Sequence, residues 1–179
     1  MRLFVAVEID DNDVLQKIKS MQESFTFEAK PVRIDQIHFT LQFLGEINLK
    51  QTEQIKKALS TVYFSKFDLT IKNSGAFPNS RNPRVIWLGV DNDGRKKISS
   101  LANSVNQALG TINLKSDKPF KPHLTVFRIK TRIGDITNEL LKFRDVEFGK
   151  QMVSQIVLKK SELFQSGPEY TNLGTVGGR

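Results

Sequence analysis

An internal duplication limits what this chain can fold into more than any other feature. Arg2-Leu3-Phe4-Val5-Ala6-Val7-Glu8, followed by an acid-started helical stretch, is echoed by Arg84-Val85-Ile86-Trp87-Leu88-Gly89-Val90 and Asp91-Asn92-Asp93-Gly94. His38-Phe39-Thr40-Leu41 is echoed by His123-Leu124-Thr125-Val126, and Leu69 to Phe77 by Ile156 to Phe164. The histidine follows the opening arginine by 36 residues in one copy and 39 in the other, and precedes the closing phenylalanine by 39 and 41. Agreement over this length predicts two β-α-β-α-β lobes, about 2–77 and 84–164, related by an approximate two-fold axis. With no flexible linker between them, the two lobes make a single domain over 1–179.

Local patterns fill in each copy. Leu3 to Ile9 is a short apolar run that reads as a buried strand. Val14, Ile18 and Met21 then recur at helical spacing behind the capping candidates Asp11, Asn12 and Asp13. In Ile37 to Gly45, Ile37, Phe39, Leu41 and Phe43 alternate with His38, Thr40 and Gln42, which predicts a strand. A helix is expected over roughly Leu49 to Val62, strands over Phe67 to Ser74 and Val85 to Val90, and a helix over Arg95 to Leu109. The Pro- and Asn-rich stretch from Phe77 to Arg84 reads as a loop, and the Gly-rich tail from Gly174 to Arg179 as a candidate for disorder.

The formal charge of +8 favours an anionic partner such as nucleic acid, because neutralised phosphates release counterions. With no cysteine, a disulfide framework, a thiolate metal site and a cysteine nucleophile are excluded, and an intracellular, cytoplasmic location is expected. The first apolar run meets acidic residues too early for a signal peptide or a membrane span, so no membrane association is expected.

The candidate chemistry lies in the duplicated motif. Residues i and i+2 of a strand share a face, so His38 projects beside Thr40 and His123 beside Thr125. These are the only two histidines in the chain. Across a two-fold axis they would present two imidazoles and two hydroxyls around one point. Phosphodiester cleavage needs a base for the attacking oxygen, an acid for the leaving oxygen, and donors to the non-bridging oxygens. Imidazole serves as either acid or base near neutral pH. The chemistry requires no cofactor and no metal. A metal site fits less well, since two histidines without cysteine leave the other ligands to carboxylates and none stands at ligand spacing. A serine triad lacks its Gly-x-Ser-x-Gly turn and leaves one histidine unexplained. A non-catalytic RNA- or nucleotide-binding module remains the alternative from another class.

The flanks Arg2 to Val7, His38 to Gly45, Pro83 to Val90 and Phe120 to Arg128 resemble the 2H phosphoesterases, and among them the RNA 2′,3′-cyclic phosphodiesterases once named 2′-5′ RNA ligases. The resemblance covers nearly the whole chain. It implies a bilobal α+β fold with antiparallel sheets lining a central groove, and opening of RNA 2′,3′-cyclic phosphate ends to 2′-phosphomonoesters by water, with 2′-5′ ligation as the reverse. It also implies that His38 is the proton donor and His123 the proton acceptor. Val126-Phe127 stand where the family more usually has Leu-Ala.

Further candidates follow from residue type. Arg128 is a candidate phosphate ligand, although five residues beyond His123 it falls on the opposite face of an ideal strand and reaches phosphate only if the strand ends or bends there. Phe4, Phe43, Phe77, Trp87 and Tyr170 are candidates for base stacking. Arg33, Arg81, Lys118, Lys121 and Lys130 are candidates for a basic rim. The expected partner is RNA with cyclic phosphate ends, tRNA fragments included, and the expected state is a monomer.

Overall fold

A computed structural model describes residues 1–179. Nine strands, all antiparallel, form one sheet, with the helices on one of its faces. In chain order the elements are β1 (Arg2–Glu8), α1 (Asn12–Ser24), β2 (Lys30–Pro31), a 3₁₀ turn (Ile34–Gln36), β3 (His38–Glu46) and α2 (Leu49–Leu59). They continue with β4 (Phe67–Phe77), β5 (Val85–Val90), α3 (Asn92–Gly110), β6 (Leu124–Arg128), α4 (Thr137–Leu141), β7 (Glu147–Val153), β8 (Gln155–Phe164) and β9 (Gly167–Gly177). The helices start where side chains satisfy their free N–H groups. Asp11 accepts from Val14 N, Asn48 and Gln51 form a reciprocal capping box, and Asp91 accepts from Gly94 N. Capped by Asp91, α3 begins at Asn92, three residues before the expected Arg95.

α1 packs on β6 and β7, and α3 on β3 and β4. Between helices and sheet lies the main core, with Leu3, Val5 and Val7 of β1, Phe39 of β3, Ile86 and Leu88 of β5 and Leu124 of β6 all essentially inaccessible. Phe4, Ala6 and Val157 are equally buried but stand outside that cluster. They belong to the opposite face, as strand alternation requires.

The strand order is β7-β4-β5-β6-β3-β1-β8-β9, with β2 added alongside β6. Read from its centre outward, β6 matches β3, β5 matches β1, and β4 matches β8, so the duplication survives as symmetry of the sheet. The halves are not the two contiguous repeats, however. β4, the last strand of the first repeat, pairs with β5, and β8, the last strand of the second, pairs with β1. Each half is therefore completed by a strand from the other copy. The halves meet along one β3/β6 pairing, Phe39 opposite Leu124.

Two expectations need correction. The tail from Gly174 to Arg179 is tied down rather than disordered: β9 pairs with β8 out to Gln155 opposite Gly177, Gly178 N donates to Ser154 O, and Arg179 N donates to Phe64 O. The strict alternation from Ile37 to Gly45 breaks as well. Thr40 faces Ala6 and Gln42 faces Val5, so Leu41 is an extra residue, a β-bulge. Past it the faces exchange. Gln42 is buried on the helix side with Nε2 donating to Leu114 O, and Phe43 turns out, 73% exposed.

Candidate active site

The site sits on the helix-free face, at the seam between halves. Phe39 and Leu124 point into the core, so their neighbours point out of it. Continuing this register by one residue each way sets His38 across from Thr125 and Thr40 across from His123. The four residues of the two His-x-Thr motifs thus share one patch. The two histidines are diagonal neighbours, which in a regular ladder are about 7–8 Å apart, room for one phosphate group between the rings.

Both rings are held the same way. Nδ1 of His38 lies 2.7 Å from the carbonyl oxygen of Gln36, and Nδ1 of His123 lies 2.7 Å from that of Lys121. A carbonyl only accepts, so each neutral ring carries its proton on Nδ1 and leaves Nε2 as a free base. Gln36 is itself fixed, its Nε2 donating to Pro168 O of β9. Aromatic rings stand against both imidazoles: Phe4 and Tyr170 at 5.1 and 5.3 Å from His38, and Phe77 at 5.2 Å from His123.

Arg128 reaches this face after all. Trp87 faces Thr125 and Ile86 faces Phe127, so Val126 is a bulge residue like Leu41. Val126 and Phe127 both turn into the core, and Arg128, opposite Val85, emerges exposed on the side of His123. The carbonyl that the bulge withdraws from the ladder is satisfied elsewhere: Val126 O accepts from Val32 N and Gln22 Nε2. The two motifs are thus equivalent in detail, each with a bulge three residues after the histidine and the fifth residue, Phe43 or Arg128, brought into the groove.

Of the other candidates, Phe4, Phe43, Trp87 and Tyr170 gather on this face, Phe43 lying 6.0 Å from Phe4 and Trp87 lying 5.3 Å from Phe77. Lys121 contributes its backbone carbonyl to His123, and its side chain is exposed. Arg33 is exposed and paired with Asp35, which raises its pKa further. Lys118 lines a cavity between α3 and the segment before His123, on the helix side of the sheet, and is not brought to the groove floor. Arg81 and Lys130 are exposed.

The ladders also align the halves more finely than the sequence does. Ala6 faces Thr40 as Trp87 faces Thr125, and Phe4 faces Phe43 as Val85 faces Arg128. This is one residue off the sequence match of Arg2 with Arg84, and one residue moves a side chain to the other face. Glu8, opposite His38, then corresponds to Gly89, and Lys159, opposite Phe4, to Phe77, opposite Val85. The floor beside His123 is aromatic, with the Trp87 indole lying on Gly75. The floor beside His38 is ionic, with Lys159 bound to Glu8 and Asn172. Gln36, Glu8, Lys159 and Asn172 carry no motif that sequence alone would flag.

The proton affinity of His38 reflects this setting. Burial pushes its pKa down to about 4, helped by the charges of Lys159 and Arg128 and opposed by the Gln36 carbonyl and Glu8. The unfolded ring titrates near 6.5, so acid favours the unfolded chain. The stability held in this group is complete above about pH 6.5 and is lost as pH falls toward 4, amounting to about 2 kcal/mol between pH 7 and pH 5. The urea midpoint of the native chain is therefore expected to fall further between those pH values than that of His38→Gln. Equal falls would mean that the folded ring protonates freely.

Comparisons with known proteins agree with this architecture. The sequence-family model described as LigT like phosphoesterase matches residues 7–87 and again residues 88–170. The RNA 2′,3′-cyclic phosphodiesterase of Archaeoglobus fulgidus is 38% identical over 175 residues, 97% of this chain and 98% of that one. The protein of the same name from Aquifex aeolicus is 39% identical over 166 residues, 89% and 87% of the two chains. Among solved structures, a Thermus thermophilus protein superposes with a TM-score of 0.76 at 28% identity, covering 99% of this chain and 97% of that one. Escherichia coli LigT in complex with 3′-AMP reaches a TM-score of 0.80 at 24% identity, covering 98% and 97%, and speaks for the fold alone. With the whole duplicated length matched, this chain belongs to the LigT-like phosphoesterase family.

Proposed function

We propose that this chain hydrolyses RNA 2′,3′-cyclic phosphate ends to 2′-phosphomonoesters, acting as one bilobal domain over 1–179 and as a monomer, with two-histidine acid/base catalysis that needs no metal. The observation that carries the reading is the convergence of two His-x-Thr faces at the β3/β6 seam, with Nδ1 of each ring held by a backbone carbonyl and Nε2 left free. The name shared by the Archaeoglobus and Aquifex relatives supports it.

In this mechanism the cyclic phosphate sits between the rings with its non-bridging oxygens accepting from Thr40 and Thr125. His123 Nε2 takes a proton from water as the water oxygen bonds to phosphorus. The bond from phosphorus to the 3′-oxygen breaks on the far side, and His38 Nε2 gives that oxygen its proton. His38 is neutral in the empty groove, so its proton arrives with the substrate, whose negative charge favours the imidazolium. Arg128 and Lys121 add positive charge on the His123 side, and Phe43, Trp87 and Tyr170 offer ring faces to the bases, whereas Phe4, only 3% exposed beneath His38, Phe43 and Tyr170, supports the groove floor and is not open to stacking. With a 5′-hydroxyl in place of water, the same pair forms a 2′-5′ linkage. RNA halves such as cleaved tRNA carry the required end. No helix is long and apolar enough to cross a membrane, in keeping with action on RNA in the cytoplasm.

Incubation with a nucleoside 2′,3′-cyclic phosphate in the presence of a chelator is expected to yield the 2′-phosphate. A 3′-phosphate product would reverse the leaving-group geometry, and no turnover would overturn the reading. The plot of kcat/KM against pH is expected to be bell-shaped, with its acidic limb below the ordinary histidine value near 6.5 because His38 gives up its proton so readily. An acidic limb at or above that value would contradict the buried setting of His38.

A further inference from the structure

The two motifs are alike in their histidine, threonine, bulge and ring-holding carbonyl, so none of these features distinguishes one half of the groove from the other. What differs is the floor. Beside His123 the ladder positions are filled by Trp87, Phe77 and Gly89. The matching positions beside His38 are Ala6, Lys159 and Glu8. Lys159 is only 7% exposed. Its Nζ donates to Glu8 Oε1 and, at 2.7 Å, to Asn172 Oδ1, and Asn172 Nδ2 donates to the same Glu8 oxygen at 3.4 Å. Lys159 stands across from Phe4 and Glu8 across from His38, so the bridge between them runs over Ala6, whose ladder partner is Thr40. The lysine stem lying there accounts for Ala6 and Val157 being fully covered on a face that carries no helix.

A buried ammonium is costly unless paired, and here the pairing stops one bond short. An ammonium has three donors; Glu8 and Asn172 take two, and the third is free. We propose that Lys159, clamped by Glu8 and Asn172, is a positioning residue of the His38 half of the groove: a fixed cation under the phosphate seat whose charge acts on His38 and on any anion bound beside it. This rests on the cyclic phosphodiesterase reading and adds to it a fixed charge that only one half of the groove carries. The charged and titratable groups facing His38 are Glu8 on β1, Lys159 on β8, Tyr170 on β9, Arg128 on β6 and His123 just before β6. Among them Lys159 alone is both cationic and locked in place.

The test compares the native chain with Lys159→Met, Lys159→Arg and the double variant Glu8→Gln/Lys159→Met. It reads four quantities: melting temperature, the NMR titration of the two imidazoles, the affinity for inorganic phosphate, and kcat/KM for a nucleoside 2′,3′-cyclic phosphate. The single Met variant leaves the Glu8 carboxylate unpaired and is expected to melt lower, whereas the double variant removes both charges and recovers most of that loss. Phosphate affinity and kcat/KM are nevertheless expected to stay at least about tenfold down in the double variant, with the His38 titration moved upward. Lys159→Arg, which keeps the charge, is expected to retain the larger part of the phosphate affinity. A double variant with native phosphate affinity and turnover would reduce the cluster to a packing device and overturn the proposal. So would a folded Lys159→Arg variant that binds phosphate no better than the double variant. Phosphate binding and the His38 titration need no turnover, so failure of the proposal stays distinct from failure of the enzymatic reading, which would appear as an inactive native chain.

Discussion

Replacing His38 or His123 with alanine is expected to lower turnover of a nucleoside 2′,3′-cyclic phosphate by at least about a hundredfold in each case. Each Nε2 is the free end of a ring pinned at Nδ1 by a backbone carbonyl, and the chain has no third histidine to take over either role. The double variant is expected to be little worse than the worse single one, because an acid and a base that work in one step fail together. Stability should move the other way. Removing the His38 imidazole takes away a ring that resists protonation, so the variant should hold up better in acid than the native chain. An alanine variant that keeps full turnover would refute the role assigned to that histidine.

Gly75→Ala is expected to lower stability by about 1–3 kcal/mol and to impair the site as well. A Cβ at residue 75 would stand 2.2 Å from the indole of Trp87 and 2.6 Å from two more of its ring atoms. Trp87 faces Gly75 on one side and Thr125 on the other, so a displaced indole is pushed toward the His123 motif. As the only tryptophan in the chain, it reports its own displacement by fluorescence. Shrinking it relieves the clash: Gly75→Ala/Trp87→Leu should recover part of the stability lost by Gly75→Ala alone. Unchanged emission and stability in the single variant would show that the indole does not rest on the glycine.

The candidate pair was legible in the sequence because it is doubled: two histidines, each with a threonine two places on, in matching surroundings. The starts of α1 and α2 were legible from apolar periodicity, that of α1 also from its cap Asp11, whereas the start of α3 was set at Arg95, past the turn that Asp91 caps. The bulges were not. Leu41-Gln42 and Val126-Phe127 place two consecutive residues on one face, and a two-residue pattern cannot distinguish a bulge from an uninterrupted strand. That ambiguity hid the exposure of Phe43 and set Arg128 on the wrong side. The one-residue offset between β1 and β5 has the same origin, since pairing geometry rather than residue type sets register. The ionic floor escaped because Glu8, Lys159 and Asn172 lie far apart in the chain and meet only through the β1/β8/β9 ladders.

The crossing of β4 and β8 between halves has a consequence for how such a chain could arise. A single repeat, with β1 paired to β3 and β4 left without a neighbour, resembles one protomer of a domain-swapped dimer. Two copies would satisfy each other by exchanging their third strands, and the His-x-Thr motif of each would meet its twin at the dimer axis. Tandem fusion of the two copies keeps that arrangement in one polypeptide and frees each copy to diverge. An identical pair of subunits has no means of setting an ion cluster beside one imidazole and not beside the other; a fused pair does.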